Sequence, residues 1–336
     1  MSDPSIQTFC CHLPGKKNPS ISIMSEFNSS GFNTVTLISS LLGCAGAIYQ
    51  LLPREETLGS RRWFSLTSVR GRQIVKWLAL ADFMASLGVF LRSLVKIDDY
   101  YETTVDEDDT IILCIILAAW IQYFYVVTWA WNLFYAIDTY LAIKKKPGYP
   151  KLYHSLAWTV PAALSSIGLA VLYIPDADCH NVGMDTTATY LRLLPNFILT
   201  YAAICCVMIA CPVIYFITMR EVDHIVTSSM GQVTSKERAV IQAVQLRFGL
   251  IILAFWLCWL PNLVNGIVVW VSWFDLPRRF VLILWYTMAV LNPLQAFFDS
   301  LVYRRANMKI VNPFASRALS VKPTERTPLV QSPVNS

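Results

Sequence analysis

The sequence predicts an all-α integral membrane protein: a seven-transmembrane-helix bundle followed by a short amphipathic eighth helix. Three observations predict it. The 336 residues are 55% hydrophobic and only 15% charged, where a soluble domain carries about 25% charge. Seven apolar spans occur, at about 33–52, 74–96, 110–143, 152–174, 190–219, 240–271 and 279–303, each near or above the ~20 residues that cross a bilayer. The basic residues are distributed unevenly between the connections. Segments 53–73, 144–151, 220–239 and 304–336 hold 18 of the 27 Lys and Arg, while 1–32, 97–109, 175–189 and 272–279 hold four.

Lipid tolerates no unpaired backbone, and the spans are too long for barrel strands, so they are read as helices. The longest imply tilt or projection beyond the bilayer. Lys and Arg accumulate on the cytoplasmic side. Residues 1–32 are therefore expected in the lumen or outside the cell, 33–303 in the membrane, and 304–336 as a cytoplasmic tail. Residues 1–32 lack the apolar core of a cleavable signal, so span one is expected to act as the signal anchor. The acidic run 97–109 carries seven acids and no base, opposite the lysines. The net charge of +5 therefore describes polarity across a bilayer and does not point to nucleic acid. One sequon, Asn28-Ser29-Ser30, falls on the side where glycosylation occurs.

Span two carries Asp82 in its interior. An intramembrane charge costs several kcal/mol and has to face the bundle interior. Counted from the cytoplasmic ends at ~1.5 Å per residue, Asp82 lies ~12 Å deep, Thr128 of span three ~15 Å and Asn292 of span seven ~16 Å. Three polar groups at one level predict a buried cluster. It could hold water, a proton or a sodium ion, or serve as a helix-packing hydrogen-bond network. Span three runs from Cys114 to Asp138, ~36 Å of helix, which brings Asp138 to the cytoplasmic surface just before Lys144, Lys145 and Lys146. An acid there either ends a span or lines the mouth where a signalling partner docks.

Span six holds "FWLCWLP". Pro261 cannot donate to the helical ladder and is expected to kink it, with Trp259 just below as a pivot. Span seven holds Asn292-Pro293. The segment "FFDSLVYRRANMKI" puts Phe297, Phe298, Leu301 and Val302 on one face, suiting either an interfacial eighth helix or a continuation of span seven. Cys44, Cys205, Cys206, Cys211 and Cys258 lie within spans. Cys10, Cys11, Cys114 and Cys179 lie on the oxidising side, where four cysteines allow three pairings; Cys114–Cys179 is the one expected.

Cys114, Asp138, Trp158, Cys179, Phe255-x-x-Cys258-Trp259-x-Pro261 and Asn292-Pro293, with Asp82, resemble the rhodopsin-like G-protein-coupled receptor plan. Two departures are Thr139, where an Arg usually follows the acid, and Ala296, where a Tyr usually ends the Asn-Pro motif. "TFCC", "QLLP", "WIQYFY", "NLFYAIDTYLAI", "LYHSLAW", "ERAVIQAVQLRF" and "LNPLQAF" resemble the ocular albinism type 1 protein family over most of residues 8–305. That resemblance implies a receptor of melanosome and lysosome membranes, with the plasma membrane as an alternative. It further implies coupling to a heterotrimeric G protein, with arrestin a further candidate partner, and a tyrosine metabolite such as L-DOPA as ligand.

The lumenal half of the bundle offers Arg92, Gln122, Tyr125, Asn262, Asn265 and Tyr286 to such a ligand. Ile121 stands where amine receptors of this plan hold an acid, which argues against a simple amine held by a salt bridge. Arg92 is the expected anchor for a ligand carboxylate; the alternative is that it snorkels to the interface. Thr139 implies a weaker closed-state bias and noticeable basal signalling. In the tail, Glu325-x-x-x-Leu329-Val330 approximates an acidic dileucine sorting signal. A transporter or channel using the Asp82 cluster is the competing reading, but neither repeats nor broken helices are visible. Span seven has no Lys for a retinal Schiff base. The four His have no metal-ligand spacing, and no nucleophile–base pair points to an enzyme.

Overall fold

The computed structural model describes residues 5–6, 10, 29–52, 64–97, 107–173, 186–228, 235–272 and 277–307. Seven helices occupy them: α1 Ser29–Leu51, α2 Phe64–Ile97, α3 Glu107–Ile143, α4 Pro150–Tyr173, α5 Thr186–Ser228, α6 Ser235–Val271 and α7 Arg278–Asn307. All seven are long and apolar enough to cross a membrane. Each predicted span coincides with one helix to within a residue at its end, and most helices run beyond the apolar stretch. Asn28, Cys11, Cys179 and the tail residues Glu325, Leu329 and Val330 lie outside the described residues, as do the side chains of Ser29, Lys236, Glu237 and Arg238.

Neighbours in the bundle follow from the contacts α1–α2, α2–α3, α3–α4, α4–α5, α5–α6, α6–α7 and α7–α1, with α3 also against α5 and α2 also against α7. Trp129, Trp131, Trp259, Trp285, Phe248 and Phe255 are fully buried, whereas Phe216, Leu253, Val271 and Ile283 project outward. An apolar exterior adds no driving force in lipid, so association depends on close packing and interhelical hydrogen bonds. The α1–α7 seam shows both. Ser39 Oγ donates to the Ala289 carbonyl at 2.7 Å. Gly43 and Gly46 bring α1 against the α7 backbone, so an added Cβ would lie 2.1 Å from the Pro293 carbonyl oxygen and 2.5 Å from the Phe297 Cα, respectively.

α3 ends in a Schellman turn: Lys146 N–H donates to the Leu141 carbonyl and Lys145 N–H to that of Ala142, with Lys145 at φ 58°. This satisfies carbonyls that the helix end leaves free, and Pro147 follows where a helix cannot continue. Pro150 then opens α4 at the position where its missing N–H costs nothing. Next to this end, Lys144 pairs with Glu221 of α5 at 3.2 Å. Tyr140 first, and then Glu221, hold the Lys144 ammonium above the ordinary lysine value.

Two expectations are corrected. Cys114 is disulfide-bonded to Cys10, with Cα atoms 5.7 Å apart, rather than to Cys179. Spacing alone left three pairings open, and the observed one pins the N-terminal segment to α3 instead of tying in the α4–α5 connection. No separate eighth helix occurs among the described residues. α7 continues through the amphipathic segment to Asn307, because nothing in "FFDSLVYRRAN" breaks a helix.

Candidate functional site

Asn292, Gln295 and Asp299 recur along α7 at intervals of three and four, the spacing of one helical face. All three are buried, and they span roughly 10 Å along the axis. Each meets a different layer of the bundle, and the three layers form a polar column from the disulfide end towards the Lys144 end.

The first layer lies towards the disulfide end. Asn292 Nδ2 donates to Ser5 Oγ at 3.0 Å, and Asn262 Nδ2 of α6 donates to the same oxygen at 2.9 Å. Arg92 Nη1 of α2 donates to the Ser5 carbonyl at 3.4 Å. Beside Ser5, Ile6 is 1% exposed within the main apolar core. Arg92 is itself 4% exposed, so it turns into the bundle and does not snorkel outward.

The middle layer is Trp259. Its ring stands edge-on to Tyr125 at 4.8 Å and to Trp129 at 4.9 Å, both from α3. Its indole N–H donates to Gln295 Oε1 of α7. Two residues on, Pro261 lies within α6, which runs unbroken through it. A large aromatic group thus joins α3, α6 and α7 beside a residue that weakens the helical ladder.

The third layer contains the acids. Thr128 Oγ1 donates to Asp82 Oδ1 at 3.0 Å. The span-seven residue acting on Asp82 is Asp299, which does so electrostatically; Cys258 of α6 feels both carboxyls. Asp82 Oδ2 has no hydrogen-bond donor among the described residues, while the Gln295 amide, one turn away on α7, is the group placed to serve Asp299. Asp82 and Thr128 therefore meet as expected. Asn292 instead lies two turns from Asp299, in the first layer. The depth count assumed that spans two and seven end in one plane, but α2 begins at Phe64 and α7 runs to Asn307.

The remaining candidates are spread over the bundle. Gln122 Nε2 donates to Asn196 Oδ1 at 2.7 Å and to Thr200 Oγ1 at 2.9 Å, tying α3 to α5. Asn265 Oδ1 accepts from Trp285 Nε1 at 3.2 Å. Tyr286 packs edge-on against Phe32 of α1 at 5.9 Å. Asp138 is buried at the Lys144 end of α3. Thr139 Oγ1 donates back to the Tyr135 carbonyl at 2.8 Å, so its hydroxyl is used within its own helix. Sequence reading missed Asp299, Gln295, Trp129 and Ser5. A signal for Asp299 was present: Tyr303 follows it by four residues, the separation at which a Tyr is missing after Asn292.

Seven helices long enough to span a membrane, with a polar column joined through one aromatic pivot, define a polytopic seven-helix membrane protein. The chain belongs to the ocular albinism type 1 protein family, whose model matches residues 1–308. It is 28% identical over 322 residues to human "G-protein coupled receptor 143", covering 90% of this chain and 77% of that protein. It is 24% identical over 244 residues to "Cyclic AMP receptor-like protein C" of Dictyostelium discoideum, covering 70% of this chain and 63% of that one. Squid rhodopsin shares the fold, with a TM-score of 0.57 at 13% identity, covering 89% of this chain and 91% of that one.

Proposed function

We propose that the chain is a G-protein-coupled receptor of an intracellular membrane, of the melanosome or lysosome type, that senses a tyrosine metabolite such as L-DOPA. Residues 1–32 face the lumen and 304–336 the cytosol, where a heterotrimeric G protein docks and arrestin is a second partner. The observation that carries this reading is Trp259. It contacts α3 through Tyr125 and Trp129 and α7 through Gln295, between the Asn292 and Asp299 layers. A ligand shifts a receptor only if it binds two states differently, and a pivot touching three helices gives such a difference a path to the cytoplasmic side.

The experiment is a panel of tyrosine metabolites tested on guanine-nucleotide exchange, with the receptor rerouted to the cell surface. Exchange should rise with at least one of them. A flat response across the panel, from correctly folded protein, would remove the ligand class. Arg92→Ala, at unchanged surface expression, is expected to abolish that response. A normal dose-response curve in the variant would exclude Arg92 as the carboxylate anchor.

Thr139 carries a second expectation. An Arg at this position can reach Asp138 and lock the cytoplasmic side, whereas the Thr139 hydroxyl is engaged by Tyr135. Thr139→Arg should lower basal exchange about fivefold, the effect of an ionic lock worth ~1 kcal/mol. Equal basal activity in the two proteins would count against it.

The acid layer suits a sodium ion or a shared proton. Its carboxyl oxygens, Asp82 Oδ2 among them without a donor, are the hard ligands that such a cation takes. With sodium bound there, two like charges would sit beside an opposite one instead of only beside each other. Exchanging sodium chloride for choline chloride should then destabilise the purified receptor by about 1.4 kcal/mol, the linkage for an ion at roughly ten times its dissociation constant. Asp299→Asn should abolish the difference between the two salts. A salt difference that persists in this variant would place the cation elsewhere.

A further inference from the structure

We infer that the buried polar layer of Arg92, Asn262 and Asn292 is a peptide-binding site, and that its occupant is the chain's own Ser5 and Ile6, seated as a tethered plug that a free ligand has to displace. This rests on the receptor reading only for the location of the ligand site. Ser5 is 5% exposed and Ile6 1% exposed, far below what a segment lying on the surface would show. The hydroxyl of Ser5 accepts from two helices at once, through Asn262 and Asn292. Its backbone carbonyl accepts from the guanidinium of Arg92 on a third. A side-chain amide that donates to a hydroxyl, and an arginine that donates to a main-chain carbonyl, form the recognition set for a peptide. Ile6 adds an aliphatic anchor, packed in the same core as residues of α2, α3, α5 and α6.

The tether makes this occupancy hard to lose. Cys10 is bonded to Cys114 of α3 and stands four residues after Ile6, a reach of at most ~14 Å. A linker of this length holds its segment at an effective concentration of millimolar order. A free ligand present at micromolar concentration therefore has to bind about a thousandfold tighter to compete equally. Arg92 and Asn262 were expected to hold such a ligand, and both already hold Ser5. A carboxylate ligand would thus take Arg92 from the Ser5 carbonyl, so that ligand entry and release of the plug become one exchange.

Two measurements on the full chain test this, and neither needs a G protein. In the first, Ser5→Cys is combined with Asn292→Cys, and the purified receptor is mildly oxidised and mapped by non-reducing peptide mass spectrometry. A peptide linking positions 5 and 292 is expected; its absence overturns the proposal. In the second, Asn262→Cys serves as a reporter for a small charged methanethiosulfonate reagent, with the unsubstituted protein giving the background. Adding Ile6→Asp, which a buried apolar site rejects, should speed labelling about tenfold or more by shifting the plug to its open state. Equal rates with and without Ile6→Asp overturn the proposal. If Ile6→Asp fails to fold, the cross-link, formed in a chain that keeps Ile6, still decides. A silent ligand panel alongside a positive cross-link would sink the receptor's ligand class and leave the plug standing.

Discussion

Cys10→Ser is expected to lower the unfolding free energy of the purified receptor by about 2–5 kcal/mol, and Cys114→Ser to lower it by the same amount. The two cysteines are 104 residues apart. In the chain-entropy account a closed loop of that size is worth about 4–5 kcal/mol. Helices that stay formed in the membrane shorten the free path between the ends, which favours the lower part of the range. Because the two residues form one bond, the double variant should be no less stable than either single one, so the effects are fully non-additive. Thermal unfolding followed by size-exclusion chromatography in detergent measures all three. A silent Cys10→Ser, with a destabilised Cys114→Ser, would return the pairing to Cys179.

Gly46→Leu should leave almost no folded receptor. An added Cβ at this position meets the Cα of Phe297 at 2.5 Å, and one at Gly43 meets the Pro293 carbonyl oxygen at 2.1 Å. Both obstacles are backbone and cannot rotate aside, so α1 has to move off α7 and give up the Ser39–Ala289 hydrogen bond. Overpacking of this kind typically costs 1–3 kcal/mol and more when the obstacle cannot yield; for a leucine here the loss should exceed ~3 kcal/mol. Gly46→Ala should fall inside the 1–3 kcal/mol range, since even one methyl group collides. Gly71, also helical but with open space around it, supplies the control: Gly71→Leu should stay within about 0.5 kcal/mol of the parent. Surface expression and thermal unfolding of the set read out the order. A well-folded Gly46→Leu receptor would mean that α1 and α7 do not meet at this seam.

The seven helices were legible in the sequence because a bilayer demands length and apolarity, and both can be read without a partner. Asp82 and Thr128 were legible for a related reason. An acid inside an apolar span has to be satisfied by a neighbouring helix, and a nearby hydroxyl at similar depth is the obvious donor. Span seven was not legible in register. Helix ends lie where the chain stops being helical, not where the hydrocarbon stops, and the ten helical residues before 74 and four beyond 303 misled a count from the ends. The familiar look of Asn292-Pro293 then drew attention two turns away from Asp299. Ser5 and Ile6 were invisible for another reason. Two residues carry no periodicity and no composition, and the groups that seat Ser5 lie 87, 257 and 287 positions away. The cysteine pairing failed similarly, since linear spacing says nothing about which loop a segment folds over.

Ser5 takes its hydrogen bonds from residues 257 and 287 positions later in the chain. During synthesis those partners do not yet exist when Ser5 leaves the ribosome. Ser5 must therefore wait, unseated, until the sixth and seventh helices have been delivered to the bilayer. A residue made before either helix finds its place only after both. A translocation arrest late in the chain should leave Ser5 open to added reagents even in a fragment whose first five helices are already inserted.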